Sequence, residues 1–281
     1  MRSVFGLASF GLVCLFCSTV GSNSLRAQTI NNAPLPGEKP TTMLVTPAKQ
    51  KKPKPIRGEF SGGFRLTSNG WGIFVDKGWV KSDDKLRDYF YNTKVLQIEL
   101  SEKKNPKEIK RNNSLNGLDN RDTKPFIYGK INSFYAFKLG YGMRKMIAGK
   151  PENKTVSVHW VYLGGLTLGL QKPYYLETYN LDNGTIESIK YSKENESRFL
   201  GQLIVGSSGF AKGLNELQMI PGVHAKTALH FDFAASKKSK LALETGINAE
   251  YYSKKIELMA YQDAKPYFVD VYVSLQFGGR W

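Results

Sequence analysis

Three histidines, His159, His224 and His230, and 24 Asp and Glu residues are the groups in this 281-residue chain that could carry acid–base or metal chemistry. Imidazole is the commonest metal ligand, and three of them beside carboxylates would suit zinc. Spacing speaks against that use. If His224 and His230 share a strand, the six steps between them span roughly 20 Å, too far for one ion. Ser157, His159 and Asp232 offer a hydroxyl, an imidazole and a carboxylate, which would form a nucleophilic triad if neighbouring strands brought them to one face. No phosphate-binding GxxxxGK[ST] loop, GxGxxG fingerprint, HExxH pair or CxxC pattern occurs. The residues therefore nominate no catalytic group, no cofactor and no metal site, with Ser157 and His159 as the least poor candidates for lipid-directed catalysis.

Composition bounds the class. Lys and Arg number 40 against 24 acids, a formal charge of +16, while 41% of residues are hydrophobic. That is enough apolar surface for a folded core. Mean hydropathy is −0.36, and beyond the first 20 residues the longest apolar run, Trp160 to Leu170, falls far short of the roughly 20 residues of a membrane helix. The amino terminus reads as a secretory signal peptide over 1–27: Arg2 supplies the positive end, Val4 to Val20 the apolar stretch, and Ala27 the small residue at the cleavage site. Both cysteines, Cys14 and Cys17, lie inside it, so the mature chain has no disulfide. Val13 and Phe16 before them do not fit a lipidation signal.

Residues 28–57 hold six of the twelve prolines, no aromatic residue, and six basic residues against Glu38 alone. This composition implies an extended periplasmic linker. Its basic run, Lys49, Lys51, Lys52, Lys54 and Arg57, would meet an anionic surface or an acidic protein partner.

From residue 58 to 281 the pattern is alternation with period two, bounded by turn residues, which predicts strands with two different faces. Eight strands are expected: Gly58 to Thr67, Trp71 to Val80, Thr93 to Ser101, Phe134 to Ile147, Lys154 to Leu170, Pro221 to Ala234, Lys240 to Tyr252, and the carboxyl-terminal segment. The first two form a hairpin across Ser68, Asn69 and Gly70, where Asn-Gly supplies positive φ angles. The expected fold is an all-β, antiparallel up-and-down transmembrane barrel of about eight strands preceded by the disordered tail; additional short strands in 125–131 or 198–207 would raise the count to ten. Short turns at 148–153 and 236–239 and long segments at 102–124, 171–218 and 253–265 fit periplasmic and external ends respectively. The short first hairpin and the longer 81–92 segment depart from that rule.

The alternation sorts polar side chains inward. The inward set is Arg65, Asp76, Glu99, Lys138, Arg144, His159, His224, Lys226, His230, Asp232, Glu244, Glu250 and Asp270, and its charges nearly cancel. An eight-strand barrel must fill its interior with side chains, so this set predicts a network of paired charges and not a selective channel, which would show one sign. A wider barrel passing small solutes or ions stays open as the alternative. Clustered glycines, Gly62 and Gly63, Gly140 and Gly142, Gly164, Gly165 and Gly169, relieve crowding where the sheet bends; outward Gly62 and Gly164 would also permit close approach of a lipid or protein.

The last segment places Val273, Leu275 and Phe277 on one face and ends on Trp281. It resembles the terminal strand of bacterial outer-membrane barrels, whose final aromatic is read by the insertion machinery. Together with SNGWG, GGLTLGL and QFGGRW, the region 58–281 resembles the small outer-membrane β-barrel proteins of Bacteroidota. That resemblance implies an outer-membrane location in a Gram-negative cell, no enzymatic activity, and a role as a scaffold or accessory subunit of an envelope complex, of secretion or outer-membrane assembly. Both rims are basic: 102–124 carries seven basic residues against four acids. This suits lipopolysaccharide outside and anionic phospholipid or an acidic partner inside. The export signal sets nucleic acid aside as a partner.

Overall fold

The computed structural model describes residues 57–81, 92–112, 124–149, 156–233 and 239–281. Eight long strands close into an antiparallel barrel: β1 (Gly58–Thr67), β2 (Gly70–Lys81), β3 (Asn92–Lys103), β6 (Asn132–Ala148), β7 (Ser157–Pro173), β11 (Gln218–Asp232), β12 (Ser239–Ile256) and β13 (Lys265–Arg280). Between them lie five short strands outside the barrel: β4 (Lys110–Arg111), β5 (Phe126–Ile127), β8 (Tyr175–Asn180), β9 (Thr185–Lys190) and β10 (Ile204–Ser207). The order around the wall is β1-β13-β12-β11-β7-β6-β3-β2, so every wall strand pairs with its neighbours in barrel sequence, and the first and last pair with each other to close the ring. The seam is made by β1 on β13, in register from Glu59 opposite Arg280 to Thr67 opposite Tyr272. Gly58 and Trp281 exchange backbone hydrogen bonds there, 3.1 and 3.0 Å long, and this end is called the closing end below.

The eight expected strands all occur, and the short strands at 126–127 and 204–207 do not join the wall, so the ten-strand alternative does not hold. Some boundaries differ. β3 runs on to Lys103, β6 begins at Asn132 and β11 begins at Gln218, because pairing with already formed neighbours carries the ladder past the point where apolar alternation fades. The first turn also differs from expectation. Gly70 is not a turn residue: it pairs with Thr67 inside the ladder, leaving Ser68 and Asn69 as the two-residue loop. Its φ is +151°, and a Cβ there would lie 2.0 Å from the Glu102 carbonyl oxygen. Close approach of β3 demands the glycine.

Side chains alternate between two environments. On the outside, Leu166, Val223, Ile247, Val271 and Phe277 are each at least half exposed, while their neighbours Thr167, His224, Asn248, Tyr272 and Gln276 are buried within the barrel. Backbones approach closely where β6 meets β7. Gly140 and Gly165 face each other there, and a Cβ on Gly165 would lie 2.0 Å from the Leu139 carbonyl oxygen. Gly62 and Gly164 differ, since the nearest atom to a Cβ at either is 3.6 Å away. Crowding accounts for the first pair and not for the second.

The end opposite the seam carries the long connections. An apolar cluster of Phe134, Ala136, Ile220, Tyr252, Ile256 and Leu258 fills the mouth of the barrel, with the Phe134 ring 5.1 Å from Tyr252 and 5.7 Å from Phe268. Beyond it β8 and β9 form a hairpin closed by Gly184 at φ +63°, and β10 adds to β8 to make a three-stranded sheet. One helical turn, α1 (Glu196–Phe199), and β5 cover it. Phe126, Leu176, Ile189, Phe199 and Ile204 form a core of their own. The segment 171–218, read from sequence as a loop, is therefore a folded cap.

Candidate functional site

Two features set this molecule apart from an empty cylinder: the lumen and the cap. In the lumen each inward-facing Lys, Arg, Asp and Glu among the described residues finds an opposite charge through the interior. Near the mouth, Lys103 of β3 pairs with Asp270 of β13 and lies 2.8 Å from Glu250 of β12, which also accepts hydrogen bonds from Asn248 and Tyr252, each 2.7 Å long. Lys138 bridges downward, 2.5 Å from Glu250 and 2.8 Å from Glu99. Glu99 is paired with Arg65, whose guanidinium lies 4.3 Å from the centre of the Tyr272 ring.

Glu244 is the hub of the next level. It lies 3.4 Å from Arg65 and 3.1 Å from both Lys226 and His230 Nδ1, and the Tyr272 hydroxyl donates to it at 2.9 Å. Below it, Asp76 accepts from Gln97 at 2.6 Å and Gln276 at 3.3 Å, with Arg144 at 3.7 Å. At the closing end Glu59 pairs with Arg144, with Lys240 at 2.9 Å and with Arg280 at 3.5 Å, and Arg280 reaches Asp232. The ladder is continuous from mouth to seam.

Its charge sums to zero. The cations are Arg65, Lys103, Lys138, Arg144, Lys226, Lys240 and Arg280; the acids are Glu59, Asp76, Glu99, Asp232, Glu244, Glu250 and Asp270, so seven minus seven leaves none. These fourteen side chains therefore contribute nothing to the formal charge of +16. Charges taken out of water are tolerable only when each has partners of the other sign and its remaining hydrogen-bonding positions are used. The interior meets the first of these conditions by crossing the barrel, joining strands far apart in sequence; the second is met only in part, since Arg65 Nε, Arg144 Nε, Asp232 Oδ1 and Asp270 Oδ1 have no hydrogen-bond partner among the described residues.

The catalytic candidates are otherwise engaged. Asp232 is ion-paired with Arg280, and the His159 ring stands edge-on to His230 with ring centres 5.9 Å apart. Ser157 faces Asp232 only as a backbone register pair. His224 Nδ1 is 2.9 Å from the Thr167 hydroxyl, so His224 and His230 serve separate levels. Among the described residues no group of three His, Cys, Asp or Glu side chains could hold a metal ion.

The cap is held by a different chemistry. Lys190 and the Tyr175 hydroxyl both donate to Glu216 at 2.6 Å, and Arg198 and Asn180 both donate to Glu187 at 2.8 Å. The first pair of bonds holds the Glu216 carboxyl below the ordinary carboxylate value, with Lys190 the larger cause; Arg198 does the same for Glu187. Lys172 ties cap to barrel by donating to the Phe210 carbonyl at 2.5 Å. Tyr174, half-buried between them and raised in pKa by that burial, lies 3.3 Å from the Ile127 amide nitrogen, which donates to its hydroxyl.

No family model and no curated protein matches this chain. Among solved structures, Ail, the attachment invasion locus protein of Yersinia pestis, in complex with the heparin analogue sucrose octasulfate, is 11% identical over 80% of this chain and 99% of that one, with a TM-score of 0.35. Neisserial surface protein A is 9% identical over 80% of this chain and 97% of that one, with a TM-score of 0.34.

All thirteen residues read as inward are buried in the lumen: Arg65, Asp76, Glu99, Lys138, Arg144, His159, His224, Lys226, His230, Asp232, Glu244, Glu250 and Asp270. Val273, Leu275, Phe277 and Trp281 are exposed on the outer face. Of the basic run, Arg57 is exposed beside the seam, and Lys49, Lys51, Lys52 and Lys54 lie outside the described residues. The reading missed Glu59, Lys103, Lys240 and Arg280. All four share strand parity with residues already assigned inward, a signal present in the sequence; Lys103 in addition sits two residues past the point where β3 was expected to stop.

Proposed function

We propose that the chain is a non-enzymatic outer-membrane β-barrel of the small Bacteroidota type. It acts as a plugged scaffold that offers its external cap and its basic periplasmic tail to other envelope components. The observation that carries this reading is the contrast between the two faces of one wall. A belt of large apolar side chains covers the outside, including Leu166 at 68% and Phe277 at 61% exposure. In water so extended an apolar surface would drive association, whereas a bilayer is the solvent it suits. Inside, paired charges and the apolar cluster at the mouth leave neither the one-signed lining nor the opening that a selective pore uses. With no path through it, the barrel's working surfaces are its two ends.

Orientation follows the lengths of the connections, with the closing end and the tail in the periplasm and the cap outside. Val273, Leu275, Phe277 and Trp281 are then the segment that insertion machinery reads. Lipopolysaccharide would face the basic residues around 102–124, and the cap would face the medium or a protein partner.

Affinity purification of the tagged full chain from outer membranes in mild detergent tests the scaffold role. A stoichiometric partner is expected. Replacing Lys49, Lys51, Lys52, Lys54 and Arg57 by Gln should release a periplasmic partner, and Phe199→Ala should release an external one, while both variants still insert. A lone monomer, or a complex indifferent to both changes, would overturn the role.

A further inference from the structure

The outer wall is apolar down to the closing end along half of its circumference. Leu229 and Phe231 on β11, Leu241 on β12, Leu275 and Phe277 on β13 and Phe60 on β1 face outward there, with no charged side chain among the described outward residues of that zone. The opposite quadrant differs. Lys77 on β2, Lys94 on β3 and Lys145 on β6 are exposed on the outer face, each within five residues of the closing end of its strand.

Register puts the three on one diagonal. Lys94 stands opposite Trp79 on β2 and Met143 on β6, so Lys77 and Lys145, two positions along on either side, are its diagonal neighbours. Such neighbours are about 7–8 Å apart. Each lysine also has an indole beside it. The Lys77 ammonium lies 5.4 Å from the centre of the Trp79 ring, Trp79 faces Lys94, and Trp160 faces Lys145. Among the described residues none of the three lysines has a carboxylate within ion-pairing distance, because Asp76 on β2, Glu99 on β3 and Glu59 on neighbouring β1 point into the lumen.

Lysines at a membrane boundary commonly extend their stems toward water. That habit places them at strand ends and around a whole rim. Here they fall in one quadrant, and Lys77 is four residues inside the end of β2 at Lys81. Three cations with no counter-ion among the described residues, on an apolar wall, call for an anion at the same depth.

We infer that the outer face of β2, β3, β6 and β7 near the closing end is a binding site for an anionic phospholipid of the periplasmic leaflet. Its phosphate sits among the ammonium groups of Lys77, Lys94 and Lys145, and its glycerol and upper acyl carbons lie along Trp79 and Trp160. The inference rests on the membrane-spanning reading above.

Full-length protein in mixed micelles of equimolar phosphatidylcholine and phosphatidylglycerol, examined by native mass spectrometry, tests it. Wild type should retain phosphatidylglycerol preferentially. Combining Lys77→Gln, Lys94→Gln and Lys145→Gln should lower that preference by about fivefold for each lysine removed. The corresponding triple Arg variant should keep it, and Lys107→Gln with Lys110→Gln at the far end should leave it unchanged. Should the triple Gln variant fail to fold, high salt applied to wild type serves instead, since screening should abolish the preference. Equal retention of the two lipids by wild type, or a preference that survives in the folded triple Gln variant, overturns the inference. Failure of wild type to enter liposomes at all would instead overturn the membrane-spanning reading.

Discussion

At the scale of single residues the molecule depends on who shares Glu244. Five groups converge on it: Arg65, Lys226, His230, the Tyr272 hydroxyl and the Gln276 side-chain amide. Its loss would leave Lys226 with no carboxylate at ion-pairing distance inside a wall that excludes water. Removing one partner of a buried charge pair costs about 3–5 kcal/mol, more than replacing both by apolar groups of similar size. Glu244→Leu alone should therefore lower the thermal midpoint of the folded band on gels more than Glu244→Leu combined with Lys226→Met. Equal losses in the two variants would mean that Lys226 finds another acid, and Asp76 or Glu99 would be the place to look. Glu59 is the counterpart at the closing end, similarly buried and serving three cations, Arg144, Lys240 and Arg280.

At the scale of elements the barrel and the cap are stabilised by opposite means, and acid should separate them. Glu187 and Glu216 in the cap are held below the ordinary carboxylate value of 4.5 by Arg198 and Lys190. A carboxyl whose folded pKa is depressed contributes stability above its unfolded pKa and loses it as pH falls through the folded one. Hydrogen exchange over 174–217 should thus speed up as pH is lowered below about 4.5 while exchange in the barrel strands stays slow, after correction for the intrinsic pH dependence of exchange. Phe199→Ala should produce the same local loosening at neutral pH by emptying the cap core, with a cost of about 3–5 kcal/mol to that unit.

The same division explains what could be read from the residues. The strands of the wall were legible because two environments impose a strict period of two, as in Val223, Ala225, Thr227, Leu229 and Phe231 against His224, Lys226 and His230. The cap was not legible. Its strands are four to six residues long and its sheet is half-buried, so Leu176, Ile189 and Ile204 stand too far apart to set a period. In the lumen, parity alone placed each side chain. Which cation met which acid depended on strands crossing the interior, and no local pattern carries that.

At the scale of the whole molecule, the seven cations and seven acids of the lumen cancel and contribute nothing to the chain's formal charge of +16. An interior that is neutral, paired and closed by Phe134, Tyr252 and Phe268 offers an ion neither a binding site nor a path. Reconstituted in planar bilayers, the folded protein should be electrically silent, and discrete conductance steps from protein shown to be folded would return the solute pore to first place.

The seam between β1 and β13 has a kinetic consequence. It joins Glu59 to Arg280, the widest sequence separation of any ladder in the barrel. High contact order of this kind means that the loop-closure entropy of nearly the whole wall must be met before its last contacts form. Until then both terminal strands present open edges able to recruit a foreign strand. Assembly of such a chain is a race between ring closure and edge-to-edge association, decided only when the final strand arrives.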